Sequence, residues 1–529
     1  MNAKLKPEPS FPFFFSPDIV LPILSGLLLT GSFPKVGMDG LAWFALVPLL
    51  ISLRNLSLKE SFRAGFLAGI CHYLTLAYWL AYTMKTYGGL PLILSVPILF
   101  LLCAYLALYT AVFSMGLNRL CSKPAICLFM IPVLWVSLEY IRSFFLSGFP
   151  WELLGYSQFG NLNLIQISDI FGVYGVSFLI ALSNGAIFLV FLCWKGKDWQ
   201  GTPTSKPLAA GAMATFILLF SLIWFYGKWR VLSVDELASA SPSARVTVVQ
   251  GNIEQTKKWD AAFRYATTKK YLDLSFSAKA QKPDIIVWPE TAAPFYFLHN
   301  ERMTEIVLKG IRETDTNFLI GSPSVTRGEN GPEYHNSAYL IRPDGTVADT
   351  YNKAHLVPFG EYVPLKRWLP FLGKIVEHVG DFTPGTEGKT IQLGNYSLGV
   401  QICYEIIFSN LSRKMARNNA NLLINITNDA WYGTTSAPYQ HFSMTVFRAV
   451  ENRRSLVRSA NTGISGFIDP VGRVIAQTHL FQDAVVTRSV PVLSEKTLYT
   501  QFGDFFAVAC LSVALIILLM RICMRRIQK

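Results

Sequence analysis

Apolar and polar positions divide the chain into two kinds of segment. Seven apolar segments fill the first 230 residues, and an eighth lies near the end, at 17–33, 38–53, 62–84, 90–115, 125–147, 170–194, 208–227 and 503–522. Most approach the length of about 20 residues with which a helix crosses a bilayer. The pattern predicts a polytopic α-helical membrane domain with seven transmembrane helices over 1–230 and a C-terminal transmembrane helix over 503–522.

Basic residues follow every second apolar segment. They are Arg54, Lys59, Arg63, Arg119, Lys123, Lys195, Lys197, Lys206, Arg521, Arg525, Arg526 and Lys529. Because basic loops stay on the cytoplasmic side, we expect both termini in the cytoplasm and the long segment before the last span on the outer side, the periplasm of a cell with two membranes. A cleaved signal peptide is not expected after Lys4 and Lys6, since apolar spans continue to residue 225.

The outer segment, 244–493, alternates strand-like with helix-like runs. The strand-like runs lie at 245–253, 284–290, 317–323, 337–353, 396–403, 421–427, 455–461 and 466–477, and helical patterns at 258–280 and 437–454. The run 337–353 is predicted to be a hairpin that turns at Pro343-Asp344-Gly345. This alternation predicts an α/β domain of about 250 residues, with linkers at 228–243 and 491–502.

Composition agrees with the membrane class. The chain is 51% hydrophobic and 15% charged, with a formal net charge of +13. Such a positive charge also occurs in nucleic-acid-binding proteins, but here the basic residues lie beside apolar spans. They therefore indicate membrane topology and contact with anionic lipid headgroups, and no nucleic-acid partner is expected.

Cys403 is the one cysteine of eight that lies between Cys193 and Cys510. It ends the strand-like run GVQIC and is followed by Tyr404 and Glu405. Without another cysteine in the outer segment it has no disulfide partner there. No CxxC pair or Cys/His cluster indicates zinc, so neither a metal nor a cofactor is expected.

Reactive side chains follow three strand-like runs. Pro289 ends one strand and leaves Glu290 beyond it; Lys353 and Cys403 end two others. Strand ends of α/β folds commonly converge on a site, where a thiol, a carboxylate and an ammonium can act as nucleophile, base and cationic stabiliser. Taken singly, each residue type is as compatible with a surface or core role.

Three blocks carry a resemblance to a known superfamily. VWPET (287–291), YNKAHLVPFGEYVP (351–364) and GVQICYEI (399–406) resemble the signature blocks of the nitrilase, or carbon–nitrogen hydrolase, superfamily. Eight apolar segments around such a domain resemble its membrane-bound branch, the apolipoprotein N-acyltransferase family. The resemblance extends over essentially the whole chain and implies an αββα sandwich on the outer face of a bacterial inner membrane.

The resemblance also implies residue roles. Glu290 matches the general base, Lys353 the oxyanion and thiolate stabiliser, and Cys403 the nucleophile. Supporting positions are matched by Glu361, Tyr404 and Glu405, and substrate-binding positions by Trp259 and Trp431. At Glu152 a less polar residue is expected in many relatives.

The implied reaction is the last step of lipoprotein maturation, catalysed by an acyltransferase of EC class 2.3.1. It moves a fatty acyl chain from a membrane phospholipid to the free α-amine of a lipoprotein's diacylglyceryl-cysteine, in ping-pong fashion through an acyl-thioester on Cys403. One alternative is a membrane-tethered amidase or nitrilase with the same Glu-Lys-Cys triad, although a tether needs one span. Another is a transporter or scaffold with a degenerate outer domain, against which the intact triad argues.

Four polar residues of the membrane half have ambiguous roles. Glu139 and Arg142 lie three residues apart, share a helix face and are expected to pair, either structurally or at a lipid headgroup. His72 and Asp169 are expected to be structural.

Overall fold

The computed structural model describes residues 16–329, 331–362 and 381–527. Several residues used above lie outside these ranges, namely Lys4, Lys6, Val363, Pro364 and Lys529; the side chains of Arg525 and Arg526 are likewise not described.

The N-terminal half is helical. Its helices are α1 (Pro17–Gly31), α2 (Val47–Ser52), α3 (Leu58–Leu76), α4 (Trp79–Thr86), α5 (Leu92–Leu120), α6 (Pro124–Arg142), α7 (Leu162–Ile165), α8 (Ser168–Phe171), α9 (Val173–Trp194) and α10 (Lys206–Ala240). A short antiparallel hairpin of β1 (Asp198–Trp199) and β2 (Thr202–Pro203) joins the last two helices.

The outer segment contains twelve strands among its described residues: β3 (Ser243–Gln250), β4 (Ile285–Val287), β5 (Asn317–Gly328), β6 (Gly331–Ile341), β7 (Val347–Asn352), β8 (Ile391–Leu393), β9 (Tyr396–Ile402), β10 (Leu422–Thr427), β11 (Ser455–Ala460), β12 (Gly466–Ile468), β13 (Val474–Gln477) and β14 (Ala484–Pro491). The remaining helices are α11 (Gln255–Lys258), α12 (Ala261–Ser277), α13 (Glu301–Thr314), α14 (Ser409–Arg417), α15 (Ala437–Asn452), α16 (Leu498–Phe502) and α17 (Phe505–Ile527). Each predicted strand run contains a strand, and 337–353 forms the predicted antiparallel hairpin.

The strands form two six-stranded sheets, ordered β14-β3-β4-β5-β6-β7 and β13-β12-β11-β10-β9-β8. Alternate side chains point to opposite faces of a strand. On β4, Ile285 and Val287 therefore share a core with Val400 and Ile424 of the second sheet, whereas Ile286 packs with the residues of α13. The result is the expected sandwich of two sheets covered by helices.

Each sheet has a parallel centre: β3, β4 and β5 in one, and β9, β10 and β11 in the other. Parallel neighbours end on the same edge, so the loops after β4, β9 and β10 are brought together. The loop after β9 begins with the short 3₁₀ helix Cys403–Ile407, and α14 follows it.

Five of the described helices are long and apolar enough to cross a membrane, namely α5, α6, α9, α10 and the part of α17 up to Met524. The pair α3 and α4, bent by 49°, makes a sixth if it is one span. The first two predicted segments form shorter helices. The segment 17–33 forms the 15-residue helix α1, and 38–53 is divided between the 3₁₀ helix Asp39–Trp43 and α2. These helices fit a membrane protein, and the count of eight crossings stays a prediction.

The prediction of a linker at 228–243 is wrong, because α10 continues without a break to Ala240. Its polar residues, which suggested a linker, make specific contacts. Arg230 pairs with Asp169 at 2.8 Å, and Asp235 pairs with Arg473 of the outer domain at 2.6 Å. The second predicted linker, 491–502, likewise contains α16. The helix α10 is therefore a direct connection between the two halves of the molecule.

Candidate active site

The predicted triad residues are brought to one end of the sandwich. Glu290 lies three residues after β4, while Lys353 and Cys403 follow β7 and β9 directly. All three side chains are buried, at 7%, 1% and 6% exposure. A carboxylate and an ammonium this deeply buried are stable only when they are paired, which makes their contacts informative.

Lys353 lies between two carboxylates. Its Nζ donates to Glu361 at 2.9 Å and lies 3.7 Å from Oε1 of Glu290. Burial lowers the pKa of Lys353, but the Glu361 and Glu290 carboxylates outweigh burial and raise the pKa above its usual value. Lys353 is therefore a fixed positive charge.

Asn336 of β6 fixes the relative position of the two carboxylates. Its Nδ2 donates at 2.8 Å to Oε1 of both Glu290 and Glu361. The other oxygen of Glu290 accepts from the backbone N–H of Asn428 at 3.0 Å. The Glu290 carboxylate is thus oriented by the first sheet and by the loop after β10. Nothing in the sequence around Asn336 singles it out, because it lies within β6, one residue before the strand-like run 337–353.

Cys403 adopts a left-handed backbone conformation, with φ of +53°. This conformation is uncommon for a residue with a side chain and is found at functional turns. It breaks the strand direction at the point where the sulfur enters the site. Burial raises the pKa of the Cys403 thiol, and Glu290 adds to the rise while Lys353 opposes it. The thiol therefore needs a base before it can act as a nucleophile.

Glu405 joins the Cys403 turn to the Lys353 loop. Its Oε2 accepts from the backbone N–H of Ile402, and its Oε1 accepts from the N–H groups of Ala354 and His355. The hydroxyl of Tyr351 also donates to it. Burial raises the pKa of Glu405 to about 7, against the effect of these hydrogen bonds. Glu405 therefore holds the nucleophile and the lysine in register.

The three aromatic residues predicted at the site lie in different surroundings. Tyr404 is buried and its ring contacts Phe408 edge-on, with centroids 5.2 Å apart. Trp259 lines a cavity of about 730 Å³ together with Tyr296. The ring of Trp431 contacts Tyr87, next to α4, edge-on at 5.4 Å. Trp431 therefore lies where the outer domain meets the membrane helices.

Other contacts join the same loop to the membrane half. The hydroxyl of Thr83 in α4 donates to the carbonyl of Trp431 at 2.9 Å, and Lys35 donates to the carbonyl of Thr434 at 3.2 Å. The amide of Ser436 donates to the hydroxyl of Tyr78 at 3.2 Å. The side of the site formed by 428–436 thus rests on the apolar helices.

Glu139 and Arg142 make no ion pair within the part of the chain that the structure describes. Oε1 of Glu139 accepts from Leu154 N–H and Trp135, while Arg142 donates to the Tyr73 hydroxyl. The expected direct pairing is replaced by contacts with neighbouring helices and the 150–154 loop. Glu152, at which a less polar residue was expected, is buried and accepts from Ser443 at 3.2 Å.

Asp169 forms ion pairs, and His72 has a hydrogen-bonding neighbour, as we expect for residues with structural roles. Asp169 pairs with Arg453 of the outer domain at 2.7 Å and with Arg230 of α10. His72 is buried, and its Nδ1 lies 2.9 Å from the Thr30 hydroxyl.

The comparisons with known proteins agree with this architecture. A family model described as carbon-nitrogen hydrolase matches residues 245–496, so the outer domain is of the class that the two sheets and the strand-end residues define. The model for the apolipoprotein N-acyltransferase N-terminal domain matches residues 25–186. The chain belongs to the apolipoprotein N-acyltransferase family and is an acyltransferase of the carbon-nitrogen hydrolase superfamily.

Full-length relatives support the assignment. The apolipoprotein N-acyltransferase of Geobacter metallireducens is 43% identical over 501 residues, 94% of each chain. That of Chlorobaculum tepidum is 31% identical over 96% of this chain and 95% of its own. Among solved structures, an amidase from Nesterenkonia sp. covers 49% of this chain and 92% of its own, with 19% identity and a TM-score of 0.37.

Proposed function

We propose that this protein transfers a fatty acyl chain from a membrane phospholipid to the α-amine of a lipoprotein's N-terminal diacylglyceryl-cysteine. The proposal places the outer domain on the periplasmic side of a bacterial inner membrane, with both termini in the cytoplasm. The observation that carries it is the buried thiol of Cys403, the one cysteine of the outer segment, which is acted on by the Lys353 ammonium and the Glu290 carboxylate. The family name supports a lipoprotein acceptor.

In the first step Glu290 accepts the proton of the Cys403 thiol. The thiolate then forms a bond to the ester carbonyl carbon of the phospholipid, and the C–O bond to the lipid alcohol breaks. The proton on Glu290 goes to the departing alkoxide. Lys353 stabilises the thiolate and the oxyanion, together with the backbone N–H of Tyr404; one such donor is worth roughly 3 kcal/mol. The product is an acyl-thioester on Cys403.

In the second step the acceptor amine attacks the thioester carbonyl. A C–N bond forms, the C–S bond breaks, and Glu290 takes the amine proton and returns it to the thiolate. Exclusion of water protects the thioester until the amine arrives. We assign Trp259 and Trp431 to substrate contact, because Trp259 follows Lys258, which donates to the Glu290 carbonyl, and Trp431 contacts Tyr87 next to α4.

The fate of Cys403 tests this function. The detergent-purified protein would be mixed with phospholipid, and the peptide that contains Cys403 examined by mass spectrometry. A fatty acyl adduct that hydroxylamine removes is expected. Cys403→Ala should abolish acylation of a diacylglyceryl peptide, whereas Cys193→Ala, in α9, should not. Acylation that persists in Cys403→Ala would refute the mechanism. Hydrolysis of simple amides without a lipid adduct would favour the amidase alternative.

A further inference from the structure

A second buried lysine lies beside the triad. Lys258, the last residue of α11, is only 1% exposed. Its neighbour Lys257 is 54% exposed and pairs with Glu254 at the surface. Adjacent lysines thus occupy opposite environments. A buried ammonium is costly unless its charge is balanced, so the position of Lys258 calls for a role at the site.

Lys258 contacts the backbone that carries the proposed base. Its Nζ donates to the carbonyl oxygen of Glu290 at 2.9 Å. The next residue, Thr291, has φ of +48°, a conformation that needs support from its surroundings. The hydrogen bond therefore anchors the peptide at which β4 leaves the sheet and Glu290 enters the site.

The positive charge of Lys258 offsets one of the carboxylate charges at the site. Glu290 and Glu361 are two carboxylates that face the single ammonium of Lys353. Among the described residues, no carboxylate lies within 4 Å of the Lys258 ammonium, which is attracted instead by the nearby Glu290 and Cys403. The other charged groups that act on Cys403 are Lys353 and Asp429, and the charge of Asp429 is offset by Arg458, which pairs with it at 2.8 Å. Without Lys258, the carboxylates of Glu290 and Glu361 would face the Lys353 ammonium alone, which leaves one net negative charge that opposes a thiolate.

We propose that Lys258 is a positioning residue of the proposed acyl transfer: it anchors the Glu290 loop and supplies the second positive charge that favours the Cys403 thiolate. The inference rests on the proposed function for its purpose, but its effect on the thiol is independent of any lipid. Burial lowers the pKa of Lys258 to about 8, against the attraction of Glu290 and Cys403. The charge is therefore present near pH 7 and lost as the pH rises above about 8.

Alkylation of Cys403 by iodoacetamide, followed by peptide mass spectrometry between pH 6.5 and 9.5, tests the proposal in the full-length protein. At pH 7, Lys258→Met and Lys258→Gln should slow alkylation about tenfold, the effect of one pKa unit on the thiolate population. The difference in alkylation rate between wild type and these two variants should become smaller above pH 8, because wild-type Lys258 is then neutral. Lys258→Arg, which stays charged, should remain fast at high pH. Lys257→Met should match wild type throughout.

A rate ratio that does not change with pH, whatever its size, would overturn the proposal and leave a structural contact only. The result is separable from the proposed function, because iodoacetamide needs no lipid. If wild-type Cys403 forms no acyl adduct while the pH-dependent ratio holds, the function fails and the role of Lys258 stands. If the adduct forms and the ratio is constant, the reverse is true.

Discussion

The backbone carbonyl of Cys403 lies 3.3 Å from Nε2 of His441 in α15. Because a carbonyl oxygen only accepts, this contact requires the ring proton on Nε2. The other ring nitrogen lies 3.0 Å from Asp429, and Arg458 donates to both Asp429 and His441. All three side chains are fully buried. The network therefore supports the left-handed Cys403 backbone through its carbonyl oxygen.

We expect His441→Asn to slow formation of the Cys403 acyl adduct by at least about tenfold and to lower the thermal unfolding midpoint. The substitution removes the His441 contact of the Cys403 carbonyl and deprives the buried Asp429–Arg458 pair of its third partner, at a cost of about 1–3 kcal/mol. Adduct formation is followed by mass spectrometry and unfolding by intrinsic fluorescence. The exposed His479 gives the matched control, His479→Asn. Equal behaviour of the two variants would contradict the role of the network.

Glu361→Gln should reduce the rate of acyl-adduct formation by about 100-fold, the loss typical for a group that stabilises charge in a transition state. The amide keeps the shape of the carboxyl but removes the charge that does most to raise the pKa of Lys353. It also disturbs the hydrogen bond from Asn336. The rate is measured in a single turnover with excess phospholipid.

The control for Glu361 is Glu387→Gln, which breaks a half-exposed pair with Lys414. Exposed pairs contribute little to stability, so this variant should retain the wild-type rate. A Glu361→Gln protein as fast as Glu387→Gln would show that Lys353 does not depend on its carboxylate partner.

Lys258→Met should change how stability depends on pH. The pKa of Lys258 is about 8 when folded, against 10.5 for the ordinary side chain. Between these values the unfolded chain binds more protons, so the wild-type free energy of unfolding rises with pH. The total gain is on the order of 3 kcal/mol. The variant lacks this gain, so the wild-type melting temperature should rise relative to Lys258→Met between pH 8 and 10. If the melting temperatures of wild type and Lys258→Met change in parallel with pH, the pKa of Lys258 is not lowered in the folded protein.

The predicted orientation can be tested with Cys523, an exposed cysteine of α17. If the C-terminus is cytoplasmic, a membrane-impermeant maleimide should label it only after the inner membrane is permeabilised. Lys309→Cys, at a residue 72% exposed in the outer domain, should be labelled in intact spheroplasts. Cys523→Ser corrects for other cysteines. Labelling of Cys523 without permeabilisation would show that the C-terminus lies on the outer side and would contradict the predicted orientation.

The fold was largely predictable from local pattern. Period-two alternation in runs such as 245–253 and 396–403 reflects burial on a sheet, and the structure has β3 and β9 there. The linker at 228–243 was mispredicted because polarity alone does not distinguish a solvated connection from a helix whose charges are paired. Arg230 and Asp235 find their partners, Asp169 and Arg473, only in the folded protein.

By itself, the sequence determined which residue types end the strands, because strand ends are local in the chain. Glu290, Lys353 and Cys403 could be named as a triad because three local sequence blocks resemble those of the carbon–nitrogen hydrolase superfamily. Only the tertiary structure decided what surrounds them. Asn336, Lys258 and His441 come from separate elements, and their contacts with the triad span 46, 32 and 38 residues of chain. Such contacts are set by which strands and connections become neighbours within each sheet, and they have no local signature in the sequence.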